Sequence, residues 1–257
     1  MIKSVVNVVL VVAALVTLST PALAQWGDLT GKFVYDGKAP APTKIDVTKD
    51  VEVCGKFPLV DESLLVGEDG GLANIVVYVR SRNVKVHPDY DALKDEKAIL
   101  DNNGCRFQPH VLPVWIEQTM ELHNSDPVPH NSNIAPLGDK AVNPLLPPMG
   151  MLDHTFRRKQ TYPVPVSCNI HPWMKGYVLP AENPYVAVTA EDGSFTLKNL
   201  PAGKELEFHA WHEKSGNVDP TGAGVPKGWS KGRFKLKIAE GANDLGTIKL
   251  APKLFEK

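Results

Sequence analysis

The stretch Tyr162-Pro-Val-Pro-Val-Ser-Cys168-Asn-Ile-His171-Pro-Trp-Met174-Lys-Gly-Tyr177 places a thiol, an imidazole and a thioether at i, i+3 and i+6. The runs on either side, YPVPVSC and KGYVLPA, read as strands, and Pro172 with the Pro163/Pro165 pair argues against a helix between them. The stretch is therefore strand, tight loop, strand, and such a loop can turn all three side chains toward one point. Similar short runs recur outward from it: GKFVYDG near 31–37, ANIVVYVRS at 73–81, VLPVWIEQ at 111–118, TMELHNS at 119–125 and DHTFRRK at 153–159. Beyond it come YVAVTAE, GSFTLKNL, ELEFHAWHE, RFKLKIA and LGTIKLA. With 22 prolines and 20 glycines, and helical character only at a short turn in YDALKDEKAIL, the chain is predicted to be all-β and of sandwich type.

The first 24 residues read as an export signal: Lys3 precedes an apolar run, and Ala-Leu-Ala supplies the small residues of a cleavage site before Gln25. No other run reaches transmembrane length, so the mature chain is expected to be exported to the periplasm or beyond without a membrane span. Lys plus Arg at 28 against Asp plus Glu at 29 gives a net charge of -1, and losing Lys3 with the signal takes it to -2. No basic stripe interleaved with aromatics appears, so nucleic acid is not an expected partner.

Two compositional styles divide the rest. A segment at 25–69 precedes a middle part, 70–185, that holds most of the histidines and the sulfur ligand candidates; 186–257 is a run of alternating strands with DG and PAG turns. GKFVYDGKAP is a candidate partner for those C-terminal strands. In that case the two ends form one module and the middle is inserted between them.

A soft thiolate, a borderline imidazole and a weak thioether together favour copper, and adding a second histidine completes the blue-copper donor set. His130, in MELHNSDPVPHNSN, is the candidate: it sits in a polar bend after a strand, stiffened by Pro127 and Pro129. Asn131 is placed to hydrogen-bond across to the cysteine loop. Zinc accepts a cysteine and two histidines but has no use for the thioether. The plainer alternative packs Trp173 and Met174 as core beside a buried free Cys168.

NSDPVPHN and CNIHPWM, taken in order, resemble the cupredoxins, the small blue copper proteins, and the gaps of Cys-x-x-His-x-x-Met are similar to the short ligand loop of amicyanin. The resemblance covers about 70–185 and implies a Greek-key β-sandwich, one type 1 copper ion and one-electron transfer. It implies His130, Cys168, His171 and Met174 as ligands, with Asn131 tying the two loops together. The C-terminal DGSFTLKNLPAGKELEFHAWHE resembles the carboxypeptidase-regulatory type of β-sandwich module, which is usually structural.

An electron carrier needs no catalytic set, and none competes here. His171 is the expected electron exit, its ring edge at the surface and rimmed by Pro172 and Trp173, a patch suited to transient redox partners of a monomer or weak oligomer. The same ligands would also serve a copper chaperone or storage protein, or a copper-bearing accessory module. Cys54 and Cys105 are expected to form a disulfide, with a second metal site at Cys105 and His110 as the rival. Position alone leaves His123 open between core and solvent; His209 and His212, three apart on a strand, face opposite sides and do not share an ion. Met149 and Met151 are candidates for the rim of the metal site or for loop packing.

Overall fold

The computed structural model describes residues 26–220 and 225–256, so the export signal expected at 1–24 lies outside the described residues. Among these residues the chain forms eighteen strands, a four-residue α-helix at Val51–Cys54 and two 3-10 turns, Pro88–Lys94 and Pro252–Phe255. The first of those turns is the helical stretch expected in YDALKDEKAIL, and a strand at Ala98–Asn102 follows it. No helix among the described residues is long and apolar enough to cross a membrane.

The middle of the chain builds one sandwich from two four-stranded sheets. One sheet orders Met151–His154, Met120–Asn124, Ala98–Asn102 and Phe107–Gln108; the other orders Val111–Trp115, Lys175–Ala181, Val164–Ser167 and Asn133–Ile134. Period-two alternation decides which side chains enter: Met120, Leu122 and Asn124 are buried while Glu121 and His123 between them are half-buried. Leu100, Met120 and Leu122 from one sheet meet Val114, Ile134, Val166 and Val178 from the other in a single apolar cluster. The strand expected at 153–159 lies instead at Met151–His154. Past His154 the backbone N–H groups of Arg157 and Arg158 donate to the Asp139 carboxylate, 2.7 and 2.9 Å, rather than to a ladder.

The two ends of the chain form the other sandwich together. Trp26–Tyr35 runs antiparallel to Ser194–Pro201 and parallel to Gly241–Leu250. This sheet shares a core with Val186–Val188, Val76–Val79, Glu205–His212 and Arg233–Lys237, through Leu29, Phe33, Val77, Phe208, Phe234 and Ile248. Val76–Val79 falls within the 70–185 segment of the sequence, yet it is hydrogen-bonded between Val186–Val188 and Glu205–His212. Its four residues are all buried because both faces are covered. Val77 and Val79 enter this core, while Val76 and Tyr78 pack with Val111, Leu179 and Trp211 where the two sandwiches meet.

Between Tyr35 and Gly70 the chain leaves the end-built sandwich as a long strap. Its base is closed by Tyr35 N–H to Gly70 O, 2.8 Å, and Leu72 N–H to Phe33 O, 3.0 Å. Glycine is required at the return: Gly70 has φ +77°, and a Cβ on Gly71 would collide with the Asp192 backbone. The strap crosses to the other sandwich, where the disulfide expected between Cys54 and Cys105 ties it down, with Cα atoms 5.5 Å apart. Glu62 of the strap reaches Arg106 at 2.9 Å and lies 3.5 Å from His110 Nδ1, an ion-pair distance without a well-formed hydrogen bond. His110 Nε2 is 2.7 Å from Glu213 of the end-built sandwich. One imidazole thus joins all three parts.

Two expectations follow. Burial alone would lower the His110 pKa, but the hydrogen bond with Glu213 and the charges of Glu213 and Glu62 outweigh burial and raise it from 6.5 to about 9. A raised value means that the ion pair stabilises fully below pH 6.5 and is lost as pH rises through about 9. The thermal midpoint of the wild type should therefore fall across that window, and fall less in His110→Gln. The disulfide spans 51 residues. Cys54→Ser is expected to cost about 4 kcal/mol in denaturant unfolding, the loop-closure entropy for a span of that size.

Candidate metal centre

Cys168 directly follows the Val164–Ser167 strand, and the loop it opens closes on itself: Met174 N–H donates to His171 O at 2.9 Å and Cys168 N–H to Met174 O at 3.3 Å. His130 arrives on a short strand paired with Leu145–Leu146. The bend before it is held by Asn124, whose Nδ2 reaches the carbonyls of Val128, Leu146 and Pro147 at 2.9, 3.1 and 3.0 Å. Asn124 Oδ1 accepts the Asp126 N–H at 3.1 Å. One buried amide therefore anchors the strand end, the bend and the neighbouring strand.

These two loops bring the predicted donors together. The ligand atoms of His130, Cys168 and His171 all lie within 4.8 Å of one another, and all three residues are buried. The two Nδ1 atoms are 2.9 Å apart, and Cys168 Sγ is 3.8 Å from His171 Nδ1. Met174 is buried with Cys168 in the same apolar cluster. Asn131 does tie the loops: its Oδ1 accepts the Asn169 N–H at 2.8 Å and lies 3.5 Å from Cys168 Sγ, while its Nδ2 donates to Asn143.

Burial by itself would raise the Cys168 pKa. The hydrogen bonds of the His130 and His171 side chains, with backbone hydrogen bonds at Asn131 and His171, prevail and lower it to about 5. The side chain is then a thiolate at neutral pH, the form that ligates metals. The His171 N–H points at its sulfur from 3.4 Å.

Both rings are backed by carboxylates. His130 Nε2 is 2.9 Å from Asp126 Oδ2, and His171 Nε2 is 2.8 Å from Asp50 Oδ2. Asp126 is itself fixed by the N–H groups of Gly104 and Cys105, 2.7 and 2.8 Å. Burial would raise the Asp126 pKa, but the His130 hydrogen bond and these backbone donors lower it; burial would lower that of His130, but Asp126 and Cys168 raise it. A carboxylate only accepts, so each Nε2 carries a hydrogen; each Nδ1 then faces the sulfur, where a protonated nitrogen donates to the thiolate and an unprotonated one offers its lone pair to a metal. The two Nδ1 atoms are 2.9 Å apart beside a thiolate, so a proton or a metal cation among them relieves the repulsion of their lone pairs. Metal-nitrogen bonds are about 2 Å, so one ion reaches both nitrogens and the sulfur. The donors fit copper.

No protein-family model and no curated protein matches the chain. Among solved structures it is similar to a copper-containing nitrite reductase from Thermus scotoductus SA-01, at 25% identity and TM-score 0.30, over 34% of this chain and 22% of that one. It is similar to a novel purple cupredoxin from Nitrosopumilus maritimus, at 24% identity and TM-score 0.28, over 33% of this chain and 98% of that one. A mutant of amicyanin in its oxidized state matches at 20% identity and TM-score 0.31, over 41% and 98%. TM-scores this low carry no functional weight; the donor geometry does.

Two expectations change. The His171 ring edge is not at the surface: its side chain is 0% exposed, because Asp50 of the strap lies on Nε2. Trp173 is half-buried, its ring 5.1 Å from that of His171, and it lines a groove of about 710 Å³ beside the strap. The rival second site at Cys105 and His110 is overturned, since Cys105 is in the disulfide and His110 faces Glu213 and Glu62. His123 is not brought to the centre. His209 and His212 are both buried; His209 bonds Tyr78 and Asn217, and His212 accepts the Lys214 N–H. Met149 and Met151 are exposed.

Sequence reading missed both carboxylates. Asp126 was within reach, four residues before His130 in a bend already singled out. Asp50 was not, being 121 residues from His171 with no local pattern to mark it. Replacing Asn124 by Ala would withdraw the amide N–H groups shared by the carbonyls of Val128, Leu146 and Pro147, of which Pro147 O keeps the Gly150 N–H. Denaturant unfolding is expected to show a loss of about 3 kcal/mol or more.

Proposed function

We propose that this protein is an exported carrier of single electrons built on one type 1 copper ion. Its ligands would be His130 Nδ1, Cys168 Sγ and His171 Nδ1, with Met174 as the weak axial donor. The observation that carries the reading is the facing pair of Nδ1 atoms, 2.9 Å apart, next to a buried cysteine whose pKa is lowered to about 5. When bound, copper supplies a Cu(II)/Cu(I) couple that takes up and returns one electron.

The chain's own contribution is rigidity and dryness. Asn131 locks one donor loop to the other, Asn124 holds the His130 bend, and the Cys168 loop is closed by its own backbone. Donors held this way move little when charge changes, which is what fast electron exchange requires. Leu146, Phe156, Val166 and Ile134 share the apolar cluster that contains Cys168 and Met174, and such a lining limits water. The soft sulfur donors favour copper over hard cations. The Cys54–Cys105 disulfide supports an oxidising compartment such as the periplasm. With the His171 edge covered, Trp173 and its groove are the electron's route to a transient redox partner.

The visible absorption and EPR spectra of copper(II)-loaded protein test this. An intense thiolate-to-copper band with narrow hyperfine splitting is expected in the wild type, and its loss in Cys168→Ser. A loaded wild type without the band overturns the reading. Reversible reduction and resistance to chelators are expected of a carrier, whereas a copper chaperone or storage protein would surrender the ion.

A further inference from the structure

The strap does more than link two parts of one sandwich. Thr43, Ile45, Leu59 and Asp61 pair across it, Ile45 N–H to Leu59 O at 3.0 Å and Asp61 N–H to Thr43 O at 2.8 Å, so it projects as a closed finger. Val47, Val53 and Leu59 pack with Val128, Trp173 and the Cys54–Cys105 pair, directly over the donor loops. Trp173 Nε1 donates to Cys105 O at 3.1 Å, binding the ligand loop to the residue that tethers the strap.

Asp50 occupies an unusual position on this finger. It is the N-cap of the Val51–Cys54 helix, and its backbone carbonyl accepts the N–H groups of Val53 and Cys54 at 2.9 and 2.8 Å. An aspartate there ordinarily turns its carboxylate onto the helix's first N–H groups. Here the side chain makes no cap bond, and the backbone is left-handed, with φ 45° and ψ 44°. Aspartate and asparagine adopt that conformation more readily than other residues with a Cβ, so the position suits this side chain. The carboxylate instead takes the Nε2–H of His171 at 2.8 Å.

We propose that Asp50 is a positioning residue for the metal centre, delivered by the strap of the other sandwich to hold His171 in the Nε2–H tautomer, with Nδ1 directed at His130 and Cys168, and to close the ring's outer edge. This rests on the copper reading of the centre. The tether makes it durable: helix Val51–Cys54 follows Asp50 at once and ends in the disulfide. A partner therefore meets the strap and Trp173, and not a bare imidazole.

The test compares wild type with Asp50→Gly, which removes the carboxylate while suiting the left-handed backbone, and with Asp50→Asn, which keeps an acceptor oxygen and tolerates the same φ. Nitrogen-15 NMR of the metal-free proteins reads the His171 tautomer. Chelator competition reads copper affinity. Expected are a single Nε2–H tautomer in the wild type, a mixture in Asp50→Gly, and largely the wild-type tautomer in Asp50→Asn. Copper affinity should fall 10- to 100-fold in Asp50→Gly, the range for losing a carboxylate behind a ligating histidine, and by less in Asp50→Asn. An Asp50→Gly protein with the wild-type tautomer and wild-type affinity overturns the proposal. Failure of the copper reading is separately visible, as a wild type without the thiolate-to-copper band, and the tautomer measurement needs no metal.

Discussion

Everything around the centre serves one electrostatic constraint: two imidazoles turn their Nδ1 atoms to each other across 2.9 Å beside a buried sulfur. Such a pair is unfavourable unless each ring is held by its far side and a cation is welcome between them. Asp126 and Asp50 do the holding. Asn131 and the self-closed Cys168 loop bring in the sulfur, and the neighbouring hydrogen bonds keep that sulfur ionised despite burial. The centre is thus prepared for a soft cation before one arrives.

The two carboxylates come from different places, and this explains the architecture. Asp126 belongs to the same bend as His130 and is fixed by the backbone of Gly104 and Cys105. Asp50 belongs to a strap that starts and ends in the other sandwich. A module built from the chain's two ends therefore contributes a group to the centre of the module inserted between them. Its tether, the disulfide at Cys105, lies next to the peptide N–H groups that orient Asp126, so both carboxylates are anchored within one small region.

The same arrangement moves the exposed edge of the centre. A short ligand loop read alone puts His171 at the surface, as proline and tryptophan beside it suggest. The strap instead buries the ring completely and leaves Trp173 half-exposed in a groove whose walls belong partly to the strap. His110, held by Glu62 and Glu213, fastens strap and both sandwiches at the groove's base, so the shape of that surface depends on all three.

Much of this was legible from local pattern. Alternation and turn residues marked most strands, because burial of one sheet face imposes a period of two on the chain itself. Cys168, His171 and Met174 could be read as one loop, and His130 with Asn131 as a proline-stiffened bend, because their chemistry and spacing are local. The Cys54–Cys105 pairing followed from there being three cysteines with one engaged elsewhere, though spacing alone left a metal-site rival open. Strand Val76–Val79 was legible as a strand, but its pairing with Val186–Val188 and Glu205–His212 was not, since an apolar run names its burial but not its partner. By itself, then, the sequence determined an all-β chain and the donor types of a soft-metal site. Only the tertiary structure decided what lies behind each donor: hydrogen bonds accepted by Asp50, Glu62 and Glu213 join residues far apart in the chain, and no local periodicity encodes a contact made by folding one module's loop onto another.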